Sequence, residues 1–176
     1  QNDNVFRQTT ARLPWLLIGM LGGIGNSMIL GNFDSTFAAH PEMALYIPLI
    51  GGTGGNVGTQ SSALVVQGLA NSSLNAENTF KQVLKESVVA LINATIISML
   101  VYIYNFIRFG ATATVSYSVS ISLFAVVMFA SIFGTLVPMT LEKLKIDPAI
   151  ATGPFISITN DIIGMLMYMG ITVLLS

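Results

Sequence analysis

The chain has 176 residues, of which 53% are hydrophobic and only 9% are charged, and its mean hydropathy is +0.74. A soluble domain typically carries about 25% charged residues, so this composition excludes an ordinary soluble surface and indicates a membrane protein. The net charge of −1 argues against nucleic acid as a partner. The absence of cysteine rules out disulfides and thiolate metal sites, and a single histidine leaves no multi-histidine site within one chain.

Five stretches are predicted to be transmembrane helices, because about 20 mostly apolar residues are needed to cross a bilayer. The N-terminus lacks the layout of a signal peptide, so the first stretch is expected to be a true span. The predicted spans cover residues 13–33, 43–70, 87–107, 116–141 and 149–175. We therefore expect a multi-pass, all-α protein embedded in membrane lipid.

The basic residues predict the orientation of these spans. By the positive-inside rule, the side with the excess of lysine and arginine is cytoplasmic. Six basic residues lie on one side and one on the other, so the N-terminus is expected in the cytoplasm and the C-terminus outside the plasma (inner) membrane. The six are Arg7, Arg12, Lys81, Lys85, Lys143 and Lys145, and the seventh is Arg108.

The first outer loop, between predicted spans one and two, contains Asp34, which is a candidate for the outer mouth of an ion path. Acidic residues there, including Glu42, could concentrate cations before they enter the membrane. The alternative interpretation is a solvated loop without a direct role.

The second predicted span contains a glycine-rich polar stretch over residues 48–60, with five glycines within eight residues. Glycine lets helices approach closely, or lets a helix unwind and expose its carbonyls. Asn56 and Gln60 are four residues apart and share one helix face, where they could bind a hydrated ion or cross-link helices. The stretch lacks the Gly-Lys-Ser/Thr ending of a phosphate loop, so no nucleotide site is expected.

The fifth predicted span contains the most informative residue, Asp161, which is the only acid between residues 150 and 176. An ionised carboxylate near a bilayer centre costs about 2.5–3.5 kcal/mol and usually faces a bundle interior or a water-filled path. The dipeptide Asp147-Pro148 predicts where this helix begins, and Pro154 should distort its first turns. Residues that share the face of Asp161 at helical spacing are Ala149, Gly153, Ser157, Gly164 and Tyr168.

No lysine or arginine lies at the depth of Asp161 in any predicted span. This carboxylate must therefore hold a proton or meet a cation, unless it pairs with asparagine, threonine or tyrosine for structure alone. In a symmetric dimer two such acids would face each other, and a divalent cation would offset both charges.

The two polar stretches, in this order, resemble the MgtE family of magnesium channels. The matching residues are Pro48, Gly52-Thr-Gly-Gly-Asn56-Val-Gly-Thr-Gln60, Asp147-Pro148-Ala149, Gly153-Pro154, Thr159-Asn160-Asp161, Gly164 and Tyr168, with Phe33-Asp34 and Lys85-Glu86 as further matches. The resemblance covers the transmembrane domain of that family, without its cytosolic regulatory domains. It implies a homodimeric domain of five transmembrane helices with a central ion path.

The resemblance also implies a set of site residues. Asp161 would bind hydrated Mg²⁺, which is the transported ion, with help from backbone oxygens of Ser157 and Gly153. Further candidates for pore lining or helix packing are Ala149, Pro154, Asn160, Gly164, Asn56 and Gln60.

Three functions can be weighed against these features. The favoured one is a passive Mg²⁺-selective channel, and the alternative is a divalent-cation transporter coupled to sodium or protons. A membrane enzyme is not expected, because the chain offers one deep acid, no cysteine and one histidine in an outer loop.

Overall fold

The structure is a computed structural model that describes residues 4–110 and 113–176, and over these residues it consists of helices and short connections. The α-helices are α1 (Val5–Gly31), α2 (Asp34–Ala39), α3 (Ile47–Ala70), α4 (Thr79–Phe109), α5 (Thr114–Lys143) and α6 (Pro148–Leu175). Two short 3₁₀-helices, Pro41–Tyr46 and Ala76–Asn78, precede α3 and α4. The prediction of an all-α protein is therefore confirmed for the described part of the chain.

Four of the described helices are long and apolar enough to cross a membrane, namely α1, α4, α5 and the part of α6 from Thr152 onward. Helix α3 has 24 residues, which is enough to cross by length. It is not among these four, because its glycines and polar side chains lower the hydropathy along the helix. The count of five spans and their orientation therefore stay predictions.

The helix boundaries follow local capping chemistry. The Asp147 carboxylate accepts a hydrogen bond from the backbone N–H of Ala149 at 3.0 Å, and Pro148 occupies the first helical position. The prediction that α6 begins here is confirmed. Helix α6 continues through Pro154, and because proline has no N–H, the carbonyl oxygen of Ile150 receives no hydrogen bond from this position.

Helix α5 lies at the centre of the chain and packs against α3, α4 and α6, while α1 packs against α6. The buried core forms mainly along α5 and the C-terminal half of α6, joined by the segment around Met43. Helix α1 has no buried residue in the described chain. Together with the exposed apolar side chains of α4, this indicates surfaces that face lipid or a further chain.

The close approach of α3 to α5 depends on glycine. A Cβ atom at Gly134 of α5 would lie 2.7 Å from the carbonyl oxygen of Gly58, and one at Gly54 would lie 2.8 Å from Cγ1 of Val126. Such short contacts leave no room for a side chain. Of the two roles proposed for the glycine-rich stretch, the structure thus shows close packing within a continuous helix.

Candidate ion site on helix α6

The predicted face of α6 is open at its N-terminal half and buried at its C-terminal half. Ala149, Gly153 and Ser157 are exposed and Asp161 is half-buried, whereas Gly164 is buried. A Cβ atom at Gly164 would lie 3.9 Å from Val126 of α5. The structure therefore places Gly164 in helix packing, leaves the three positions nearest the N-terminus exposed, and places Asp161 between these two extremes.

The end of this face is fixed by Tyr168. Its hydroxyl is fully buried and donates a hydrogen bond to the backbone carbonyl of Met43 at 2.9 Å. This bond ties the C-terminal half of α6 to the segment that leads into α3. The open part of the face consequently ends about one turn beyond Asp161.

Asp161 forms no hydrogen bond or ion pair with any residue in the part of the chain that the structure describes. Within that same part, no group of three or more acidic or histidine side chains comes together that could hold a metal ion. A cation at Asp161 would therefore need further ligands from backbone carbonyls, water or a second chain.

Asn160, the residue before Asp161, is 3% exposed and cross-links two helices. Its side-chain amide donates a hydrogen bond to the carbonyl oxygen of Gly54 at 3.2 Å, and the same side chain occupies the space beside Gly58. Its Oδ1 atom is buried without a hydrogen-bond partner in the described chain. Of the two roles considered for Asn160, the structure shows helix packing.

A cleft of about 640 Å³ runs between α1 and α6, and two of the predicted ion-binding residues line it. Gly153 and Ser157 contribute from α6, together with Pro154. No atom lies within 4 Å of a Cβ placed on Gly153. The wall from α1 consists of Ala11, Arg12, Trp15, Leu16 and Gly19.

None of the five α1 residues of this cleft, which include Arg12 and Trp15, was assigned to the site from the sequence. From the sequence, Arg12 is only one of the basic residues that predict the orientation of the spans in the membrane. Arg12 and Leu16 are four residues apart, so they share a face of α1, and Ala11 lies next to Arg12 on the same helix. Nothing in the sequence indicates that this face meets Gly153.

The two polar residues predicted on α3 are both exposed, and neither forms a hydrogen bond within the described chain. Asn56 lies among glycines with open surroundings, since no atom lies within 4 Å of a Cβ placed on Gly52 or Gly55. Gln60 instead lines a separate cleft with Glu86. The two residues of this predicted pair therefore lie in different surroundings.

Asp34, the predicted outer-mouth residue, is the first residue of α2 and is exposed. Nearby in sequence, His40 Nδ1 lies 4.0 Å from Glu42 Oε1. The structure thus presents Asp34 to the surroundings and leaves its predicted role untested.

The fold and the site define a helical membrane protein that presents, on an open helix face, a carboxylate without a partner among the described residues. The chain belongs to the MgtE family, because the family model described as "MgtE: Divalent cation transporter" matches residues 47–171. This match contains α3 and all but the last four residues of α6, and it confirms the resemblance seen in the sequence.

Three curated relatives carry the name "Magnesium transporter MgtE". The chain is 34% identical over 160 residues to the one from Bacillus subtilis (strain 168), covering 91% of this chain and 35% of that protein. It is 33% identical over 165 residues to the one from Thermus thermophilus, covering 94% and 36%. For Enterococcus faecalis (strain ATCC 700802 / V583) the identity is 29% over 170 residues, covering 97% and 37%. The chain thus spans little more than a third of the length of these relatives.

Proposed function

We propose that this chain conducts hydrated Mg²⁺ passively through a path on the axis of a homodimer, with Asp161 of both chains binding the ion. The observation that carries the proposal is the carboxylate of Asp161 on the open face of α6, which has no partner within residues 4–110 and 113–176. A carboxylate at such depth is costly unless it meets a cation or a proton. The names of the relatives support magnesium as that cation.

The dimer is supported by the surfaces that one chain leaves uncovered. The open half of α6 bears Ala149, Gly153 and Ser157, and α3 has its own open glycine face around Asn56. A two-fold interface uses the same patch on both subunits. Pairing these faces would bring two Asp161 carboxylates together, and their two negative charges would match one divalent cation.

Hydrated Mg²⁺ suits the remaining groups on this face. Magnesium demands octahedral oxygen ligands and dehydrates reluctantly, so it usually keeps several of its waters. The backbone carbonyls of Gly153 and Ser157 lie within a helix, where each oxygen retains a second lone pair that can accept a hydrogen bond from a water. The carbonyl of Ile150, which Pro154 leaves without its usual donor, is a further acceptor.

The proposed orientation places the N-terminus of the chain in the cytoplasm and the C-terminus outside the plasma membrane. It rests on the six-to-one distribution of basic residues. In that orientation the cleft between α1 and α6 opens toward the cytoplasmic half of the membrane, with Arg12 near its cytoplasmic end. The function proposed for this chain is that of a transporter and not of an enzyme, in line with the family description.

The central experiment is Mg²⁺ uptake into proteoliposomes that contain the Asp161→Asn variant, which keeps the side-chain size and removes the charge. We expect the flux to fall by at least about tenfold, the change that a loss of about 1.4 kcal/mol in ion binding produces. Glu142→Gln is the matched control, because Glu142 is an exposed acid in the last turn of α5. If Asp161→Asn retained both Mg²⁺ flux and discrimination against Ca²⁺, the proposed function would be wrong.

The second candidate function, transport coupled to sodium or protons, is supported by the word "transporter" in the family description. Measuring Mg²⁺ flux under a membrane voltage, without any sodium or proton gradient, distinguishes coupled transport from a channel. Flux that persists under voltage alone excludes obligate coupling, whereas flux that requires one of the gradients favours it.

A further inference from the structure

A second cleft, formed by α3, α4 and α5, contains a carboxylate that the Asp161 site does not use. The cleft has a volume of about 440 Å³. Its polar lining consists of Gln60 and Ser61 from α3, Glu86 and Asn93 from α4, and Ser131 from α5. No basic side chain belongs to the lining that the structure describes, so the cleft carries the negative charge of Glu86 alone.

Glu86 is half-buried and is held by one hydrogen bond. The hydroxyl of Ser61 donates to its Oε1 atom at 2.7 Å, which leaves Oε2 without a partner among the described residues. Lys81 and Lys85 lie on the same helix but are exposed, and neither forms an ion pair with Glu86 in the described chain. One hydrogen bond uses only one of the roughly four lone-pair sites of a carboxylate, so most of the acceptor capacity of Glu86 is left for a further ligand.

The other polar groups of the cleft offer oxygen acceptors as well. Gln60 and Asn93 form no hydrogen bond with the described residues, so both amide oxygens are free. Ser131 contributes a hydroxyl from a residue that is only 2% exposed. One carboxylate, two amide carbonyls and two hydroxyls are the oxygen ligands that hard cations prefer.

We propose that this cleft binds a second hydrated Mg²⁺ ion through its water shell, with Glu86 as the charged acceptor. Mg²⁺ without its waters would need six oxygens at about 2.1 Å in octahedral geometry, which one carboxylate on one wall does not supply. Six waters occupy about 180 Å³ at about 30 Å³ each, so the hydrated ion fits the cleft. The proposal rests on the proposed function in one respect only: it takes Mg²⁺ to be the ion that the protein transports and that therefore reaches this cleft.

Binding here should be weaker than at the axis, because one carboxylate replaces the two of the proposed Asp161 site. The proposed orientation places Glu86 near the cytoplasmic end of α4, so the ion would enter from the cytoplasm. Ser61, which holds Glu86, lies one turn after Gly58, and Gly58 in turn contacts Asn160 beside Asp161. The two sites are therefore joined through a single helix, α3.

The cleft is tested in the full chain with Asp161→Asn, so that the axis site does not contribute. Because the chain has no cysteine, Ile92→Cys allows a single fluorinated tag. Ile92 is 57% exposed and adjoins Asn93 without lining the cleft. Paramagnetic Mn²⁺ is the probe, and broadening of the fluorine resonance reports its binding. We expect broadening that Mg²⁺ competes away.

Two further substitutions and one control substitution assign the broadening to the cleft. Glu86→Gln keeps an acceptor for Ser61 but removes the charge, and it should weaken the apparent Mn²⁺ affinity by about tenfold. Asn93→Ala should also weaken it, whereas Thr95→Ala should not, because Thr95 lies on another face of α4 and bonds the carbonyl of Leu91. Absence of broadening, or broadening that Glu86→Gln leaves unchanged, would overturn the proposal.

A third arm tests the role of the water shell. Hexaamminecobalt(III) resembles hydrated Mg²⁺ in size and does not exchange its ligands, so it should compete with Mn²⁺ for the cleft. Failure to compete would contradict binding through the water shell. Failure of the proposed function is distinguishable, because flux retained by Asp161→Asn would contradict that function without changing the broadening at position 92.

Discussion

Asn160 and Asp161 are neighbours in sequence, yet their surroundings in the structure are opposite. The Asn160 side chain is buried against α3 and bonds the carbonyl of Gly54, whereas Asp161 is half-buried and has no partner in the described chain. Successive side chains on an α-helix point about 100° apart. The bond made by Asn160 therefore fixes the rotation of α6 and, with it, the direction in which the Asp161 carboxylate points.

Asn160→Ala should lower both stability and Mg²⁺ flux, because it removes the bond to Gly54. Interhelical hydrogen bonds in membranes average about 0.6 kcal/mol and reach about 1.7 kcal/mol, so the expected loss in unfolding free energy is of that order. Denaturant unfolding in detergent measures it. Asn56→Ala is the stability control, because Asn56 is exposed and makes no hydrogen bond in the described chain. Equal stability of the two variants would contradict the anchoring role of Asn160.

At the level of helices, α3 uses its five clustered glycines on two different sides. Gly54 and Gly58 are four residues apart and meet α5 and α6, whereas a Cβ placed on Gly51, Gly52 or Gly55 would contact nothing within 4 Å. The first pair allows close packing within the chain. The other three leave an open face of α3.

The contrast between closely packed and open glycines predicts opposite outcomes for two substitutions, one on α5 and one on α3. Gly134→Ala should destabilise the chain by about 1–3 kcal/mol, as overpacking does, because the added Cβ meets the rigid carbonyl of Gly58 at 2.7 Å. Gly51→Ala should be neutral or stabilise the monomer by up to about 1 kcal/mol, the helix preference of alanine over glycine. Thermal unfolding of both variants measures the difference. Similar midpoints would show that α3 and α5 are not closely packed there.

The helices themselves could be predicted from sequence because apolar length and capping residues are local signals, as at Asp147-Pro148. The position of Asp161 within a span and the helix face that it shares with Ser157 also follow from spacing along a single helix. Contacts between helices could not be predicted in this way. The bond from Ser61 to Glu86 joins residues 25 positions apart, and the one from Asn160 to Gly54 joins residues 106 apart, so each depends on how whole helices pack.

At the scale of the whole molecule, one chain leaves the proposed ion-binding face of α6 and the helix α1 incompletely covered. Helix α1 contacts α6 and has no buried residue in the described chain. The exposed residues of α4 are mostly large and apolar, which suits lipid, whereas the open faces of α3 and α6 bear small and polar residues, which suit a protein or water contact. This contrast distinguishes the proposed dimer face from the lipid face.

The difference between these faces predicts where two chains can be cross-linked. In membranes, Ser157→Cys should give a covalent dimer with a short bifunctional thiol reagent, because the proposed axis brings the two α6 faces together across one hydrated ion. Leu100→Cys is the matched control, since Leu100 is 63% exposed on the apolar face of α4, and it should remain monomeric on a denaturing gel. The chain contains no cysteine of its own, so each product has one origin. Dimers from Leu100→Cys but not from Ser157→Cys would place the interface on α4 and leave Asp161 facing lipid, an arrangement that the cost of a buried carboxylate disfavours.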